Sequence, residues 1–212
     1  MSGRDLTERH IKPGDCVLAM AIPTTEREFY AQRDRGETDS FTGRFHSWDR
    51  YWSEVAGPAS RLLPEIRKMG CQMRSNVCLR DIGSLFRTGS TVIIPMAHRR
   101  DATGGAPEAL ELADGFAEVS EVVAQIPVEA ECILDLSVCG ARQLAVAIRR
   151  DRPASVTRST PMDEVTPAAW FYIYFILLQQ LKRKRISYYE ALGNVISEIR
   201  RQTDGAAARQ DT

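Results

Sequence analysis

Three continuous apolar runs divide the chain: Cys16 to Pro23, Thr91 to Ala97 and Cys132 to Cys139. The first is apolar throughout, as expected for a central strand buried on both faces of a parallel sheet, and the third carries Asp135 and Ser137. Pro13-Gly14 opens the first run. A shorter strand, Ala154 to Arg158, follows Pro153, and another centres on Cys71 to Arg74. Helical spacing fills the gaps. Leu62, Leu63 and Ile66 share one side of a helix from Pro58 to Met69, stopped by Gly70. Asn76 is the expected cap of a helix carrying Val77, Leu79, Ile82, Leu85 and Phe86. Ala117 to Gln125 and Ala141 to Arg150 have the same periodicity. Thr166 precedes Pro167, a favoured helix start, and that helix is expected to run to about Arg185. Ser187 and Glu190 have capping-box spacing ahead of Ala191, Leu192, Val195, Ile196 and Ile199.

Other stretches carry weaker patterns. Residues 24–56 are polar and aromatic and read as one long connection that packs on the domain or borders a cleft, with Trp48 and Trp52 as packing anchors. Residues 99–109 read as a polar loop, and Glu108 to Gly115 as short extended turns. The regular alternation of strand and helix predicts one α/β domain over 15–202 with a mainly parallel sheet flanked by helices. Residues 1–14 are expected to form a loosely ordered tail, and 203–212 a disordered one.

Composition narrows the function classes. The chain is 43% hydrophobic and 26% charged, with 28 basic and 28 acidic residues. A net charge of zero gives no overall footprint for nucleic acid, so no direct nucleic-acid partner is expected. The cluster Lys182 to Arg185 reads as the solvated end of a helix, where positive charge offsets the dipole. The most apolar stretch, Ala168 to Leu178, is shorter than a membrane span, so a buried helix is expected. The charged N-terminus lacks an apolar signal core. The five cysteines, Cys16, Cys71, Cys78, Cys132 and Cys139, show no metal spacing. Reduced thiols in a cytoplasmic protein, with neither metal nor other cofactor, are the expectation.

Candidate chemistry sits where two of the apolar runs end. One delivers His98 and the other Cys139 to the C-terminal edge of the sheet, the edge at which open α/β folds bind ligands. A thiol and an imidazole there form a possible nucleophile and base, although a cysteine ending an apolar strand also reads as simple core. The backbone N–H groups of Cys139 and of Arg99, the residue after the histidine, are the candidate oxyanion donors. Asp135 lies inside the third run. A carboxylate there needs a partner, so it either meets a basic residue or marks an exposed strand end.

Several segments, in order, resemble the CHAT family, the caspase-like and separase-like cysteine peptidases of the clan that includes legumain and gingipain. Thr91 to His98 resembles the family's strand ending in the catalytic histidine. Leu110-Glu111-Leu112-Ala113-Asp114-Gly115 is similar to its Leu-x-Leu-x-x-Gly hairpin. Ile133 to Cys139 resembles the approach to the catalytic cysteine, Ser155 to Thr166 its strand and acidic loop, and Ser187 to Leu192 its ending. The likeness covers a little over half of the chain. About 40 residues separate His98 from Cys139, close to the roughly 50 of caspases. It implies a caspase-like three-layer sandwich and an endopeptidase acting through His98 and Cys139. It also implies a basic P1 residue received by Asp163 or Glu164, a protein substrate and a regulatory protein partner. Programmed cell death or antiviral defence is the implied setting, and a bacterial gasdermin one conceivable substrate. The sequence departs from the pattern twice. Arg99 stands where the family has glycine, and Gly140-Ala141 follows the cysteine where a Glu-Ser-Gly type sequence is preferred. Both departures fall at the oxyanion hole, which leaves a catalytically inactive binding or scaffold module as the alternative.

Overall fold

The computed structural model of the chain describes residues 3–37, 39–102, 107–137, 140–158 and 166–210. Its centre is a five-stranded sheet in the order β2-β1-β3-β7-β8, every pair parallel. The strands are β1 (Cys16–Met20), β2 (Gln72–Ser75), β3 (Val92–Met96), β7 (Ile133–Asp135) and β8 (Val156–Arg158). A smaller antiparallel sheet follows β3, built from β4 (His98–Arg100), β5 (Ala109–Leu112) and β6 (Gly115–Glu118). The segment Leu110 to Gly115 thus folds as the hairpin that its family likeness implies.

Side chains alternate between the two faces of the large sheet, and each face has its own core. Leu18, Met20, Val92, Ile94 and Ile133 point into one cluster; Val17, Ala19, Ile93 and Leu134 point into the other. The first face is covered by α1 (Gly3–Glu8), α2 (Glu26–Arg33), α3 (Trp48–Tyr51), α4 (Gly57–Lys68), α8 (Pro167–Arg183) and α9 (Tyr188–Gln210). The second is covered by α5 (Ile82–Leu85), α6 (Val119–Gln125) and α7 (Arg142–Asp151). This is a three-layer α/β arrangement. No helix of the described residues is long and apolar enough to cross a membrane. Thr166 Oγ1 accepts the Ala169 N–H at 3.4 Å, the cap expected ahead of Pro167.

Several expectations are corrected. The N-terminal segment is not a loose tail: α1 and a 3-10 turn, Pro13–Asp15, form there, and Leu6 and Ile11 are buried in the first core. The last helix continues to Gln210, past the expected start of a tail at 203. Residues 24–56 are structured. They contribute α2, α3 and a π-helical turn, Trp52–Ala56, that runs into α4. Phe29 and Tyr51 from this stretch are fully buried, whereas Trp52 is 45% exposed and anchors less than Trp48. Asn76 caps no helix. It sits at φ +55, and the turn after it starts where Asp81 accepts the Cys78 N–H at 3.0 Å. Arg99 and Arg100, expected in a loop, continue a strand with His98, because the backbone of all three pairs with β5.

The strand leading to Cys139 is shorter than its apolar run. It ends at Asp135, because the Asp135 carboxylate accepts the Ser137 N–H at 2.9 Å and turns the chain. Asp135 does not mark an exposed strand end. It is fully buried, and its other oxygen accepts the Tyr188 hydroxyl at 2.7 Å. Burial, with the carboxylate second, pushes the Tyr188 pKa well above its ordinary value, so the phenol stays protonated as donor.

Candidate active site

β3 and β7 are neighbours in the sheet, so the chain leaves them side by side at the C-terminal edge. His98 begins β4, one residue past the exit from β3. Cys139 and Val138 lie outside the described residues, as do Asp163 and Glu164. The residue after each catalytic candidate is described, and those two residues touch. The Arg99 guanidinium donates from Nη1 to the Gly140 carbonyl and ion-pairs through Nη2 with Asp101 at 2.9 Å. Gly140 sits at φ +59, a conformation that disfavours a side chain, and its N–H donates to the Leu136 carbonyl at 2.8 Å. Arg99 and Gly140, two positions at which the sequence departs from the pattern it resembles, thus share one hydrogen bond.

His98 is half-buried and held by a strap, residues 39–44. The Phe41 ring stacks on the imidazole, with centroids 5.5 Å apart and planes at 30°. Arg44 Nη2 lies 3.1 Å from His98 Nε2. An arginine only donates, so Nε2 must present its lone pair. The Asp39 backbone, in contrast, favours the protonated ring. Desolvation first, then the Arg44 charge, lowers the imidazole pKa from 6.5 to about 4. At neutral pH the ring is uncharged, with Nε2 taken by Arg44.

The strap is latched from below. Its Phe41 N–H donates to Glu111 Oε2 at 2.6 Å. Glu111 lies directly across the β4–β5 ladder from His98 and is only 3% exposed. Its Oε1 finds no hydrogen-bond partner among the described residues. Burial raises the carboxyl pKa from 4.5 to about 7, against the lowering effect of the Phe41 N–H and Arg35. Phe41 and Phe45 pack edge-on against Tyr51, whose hydroxyl donates to the Pro23 carbonyl at 2.7 Å.

Glu108 is a further charged group beside the site. It is 5% exposed and accepts the Gln143 and Leu144 N–H groups at 3.4 and 3.3 Å. Ala141 gives α7 no side-chain cap, and Glu108 supplies one from across the chain. Sequence reasoning missed Arg44, Phe41, Glu108 and Glu111. A carboxylate within the apolar strand Ala109–Leu112 was the one available signal, and it pointed to Glu111.

The remaining thiols are poor nucleophiles. Burial pushes Cys71 and Cys132 up to about 12 and Cys16 well above 9. Cys78 is half-buried and also raised, first by desolvation and then by Asp114. Of the five cysteines, this leaves Cys139 as the candidate. Among the described residues no cluster of His, Cys, Asp or Glu is arranged to hold a metal ion. Comparison with known proteins returns no match to a family model, a curated protein or a solved structure.

Proposed function

We propose that this chain is a caspase-like cysteine endopeptidase in which Cys139 is the nucleophile and His98 its base, and that residues 39–44 hold it latent. The observation that carries the reading is the bond from Arg99 to the Gly140 carbonyl. It joins the residue after the base to the residue after the nucleophile, across the exits of two neighbouring parallel strands.

In the reaction, His98 takes the Cys139 thiol proton and the thiolate attacks the scissile carbonyl, forming the C–S bond. The backbone N–H groups of Cys139 and Arg99 steady the oxyanion. The C–N bond breaks as His98 returns the proton to the leaving amine. Water, deprotonated by His98, then displaces the thiolate and releases the acid. Asp163 or Glu164 receives a basic P1 side chain through a charge-assisted bond. The substrate is a protein. Because a thiolate–imidazolium pair cannot form while a guanidinium faces Nε2, a partner that withdraws the strap acts as the activator. Defence or cell-death signalling, with a gasdermin-type substrate, fits such a latent protease.

An inactive caspase-like binding module is the second reading. It is favoured by the occupation of His98 Nε2 and the depression of the imidazole pKa to about 4. Cleavage of a peptide panel with Arg or Lys at P1 separates the two. Arg44→Ala is expected to cleave at least tenfold faster than the native chain. Cys139→Ala or His98→Ala in that background is expected to lower the rate by about a thousandfold. An Arg44→Ala chain that cleaves nothing, or cleavage that survives Cys139→Ala, favours the binding module.

A further inference from the structure

The opposite edge of the sheet holds a feature that the peptidase reading does not use. Before β1 the chain turns through Pro13–Asp15, and before β2 it passes through Gly70 at φ +99. These two turns and the C-terminal end of α8 surround an open cavity of about 690 Å³. The walls are tied together. His10 pairs with Ser187 in an antiparallel bridge, and the Ile11 N–H donates to the Ile186 carbonyl at 3.5 Å. A Cβ on Gly14 would stand 3.8 Å from the Gly70 carbonyl, so the turns ahead of β1 and β2 nearly touch.

Five cations line this cavity: Lys12, Lys182, Arg183, Lys184 and Arg185. None forms an ion pair with a carboxylate among the described residues. Asp15 is the one acid in the lining, and its carboxylate accepts the Lys12 backbone N–H at 2.8 Å. The Lys, Arg and Asp side chains of the lining thus carry a surplus of four positive charges. The C-terminal dipole of α8 offsets only about half of one charge. A solvated helix end therefore leaves most of the surplus unexplained, and a concave wall concentrates its field.

We infer that this cavity binds a small soluble ligand carrying several phosphate groups. The volume suits an organic ligand of nucleotide size and exceeds what one phosphate fills. Met69 and the buried Leu181 add an apolar contact at its floor. Single-stranded nucleic acid fits less well, because no Phe, Tyr or Trp side chain lines the cavity to stack a base. A membrane surface fits less well, because the exposed apolar side chains Tyr30, Trp52, Val128, Val146 and Tyr172 lie elsewhere. The inference does not depend on the peptidase reading, since the cavity lies at the sheet edge remote from His98.

Isothermal titration with inorganic tripolyphosphate, ATP and orthophosphate tests it on the full chain. Tripolyphosphate and ATP are expected to bind one per chain. Orthophosphate is expected to bind at least tenfold more weakly, and all affinities to fall as salt is raised. Replacing Lys182, Arg183, Lys184 and Arg185 together by serine is expected to remove tripolyphosphate binding. Lys12→Glu, at an exposed side chain outside α8, is expected to weaken it at least tenfold with an unchanged melting curve. Absence of tripolyphosphate binding by the native chain overturns the inference. So does undiminished binding by both variants, or retention on anionic vesicles or oligonucleotides without binding of tripolyphosphate.

Discussion

Arg44→Ala is expected to raise the titration midpoint of His98 by at least about one unit from its native value of about 4. Two causes hold that value down, and both weaken together. The guanidinium leaves Nε2, and the exposed position it vacates admits water to the ring. The Asp39 backbone, which favours the protonated ring, can stay in place. His98 then gains the freedom to become imidazolium beside a thiolate, the state a cysteine peptidase requires. The C2 proton resonance of His98, followed by NMR from pH 3 to 8, measures the midpoint directly. An unchanged midpoint means that burial alone sets it and that the strap does not govern the base.

Glu111→Gln is expected to change the pH dependence of stability by about 2–3 kcal/mol between pH 4.5 and 8. The native carboxyl titrates at about 7 instead of 4.5, so over that interval the folded chain binds more protons than the unfolded one. Its contribution is complete below 4.5 and is lost as pH rises through 7. Glutamine can still accept the Phe41 N–H and does not titrate. Relative to the native chain, the variant therefore gains stability as pH rises. His98 acts in the opposite sense. Its midpoint of about 4 lies below the ordinary 6.5, so its contribution is present above 6.5 and is lost as pH falls toward 4. The two opposing slopes overlap in the native chain, and Glu111→Gln exposes that of His98. Urea unfolding at pH 5 and pH 8 measures the difference. Equal shifts at both values would mean that Glu111 is ionised normally in the fold.

Much of the scaffold was legible because its signals are local. The apolar runs at Cys16 and Thr91 became inner strands of a parallel sheet, since burial on both faces leaves no polar position within them. Thr166 and Pro167 start α8 through a cap three residues long. The misreadings came from contacts made at a distance. Asp135 looked like a misplaced charge because Tyr188, its hydrogen-bond donor, lies 53 residues away. Arg99 and Arg100 looked like loop because the strand that pairs with them lies beyond a polar connection. The strap over His98 had no signature at all. Arg44 is 54 residues from His98, and nothing in the spacing of residues 39–44 announces a histidine clamp. The sequence marked Arg99 and Gly140 separately, and only the fold brings them into contact, across 41 residues.

The central claim is that the thiol of Cys139 and the imidazole of His98 act as a pair. The rate of Cys139 alkylation by iodoacetamide as a function of pH, in a Cys78→Ser, Arg44→Ala chain, tests it most directly. The buried thiols of Cys16, Cys71 and Cys132 stay silent in that measurement. The account predicts an inflection below pH 7 that follows the His98 titration and disappears in His98→Ala. A single inflection above pH 8, the same with and without His98, would contradict it.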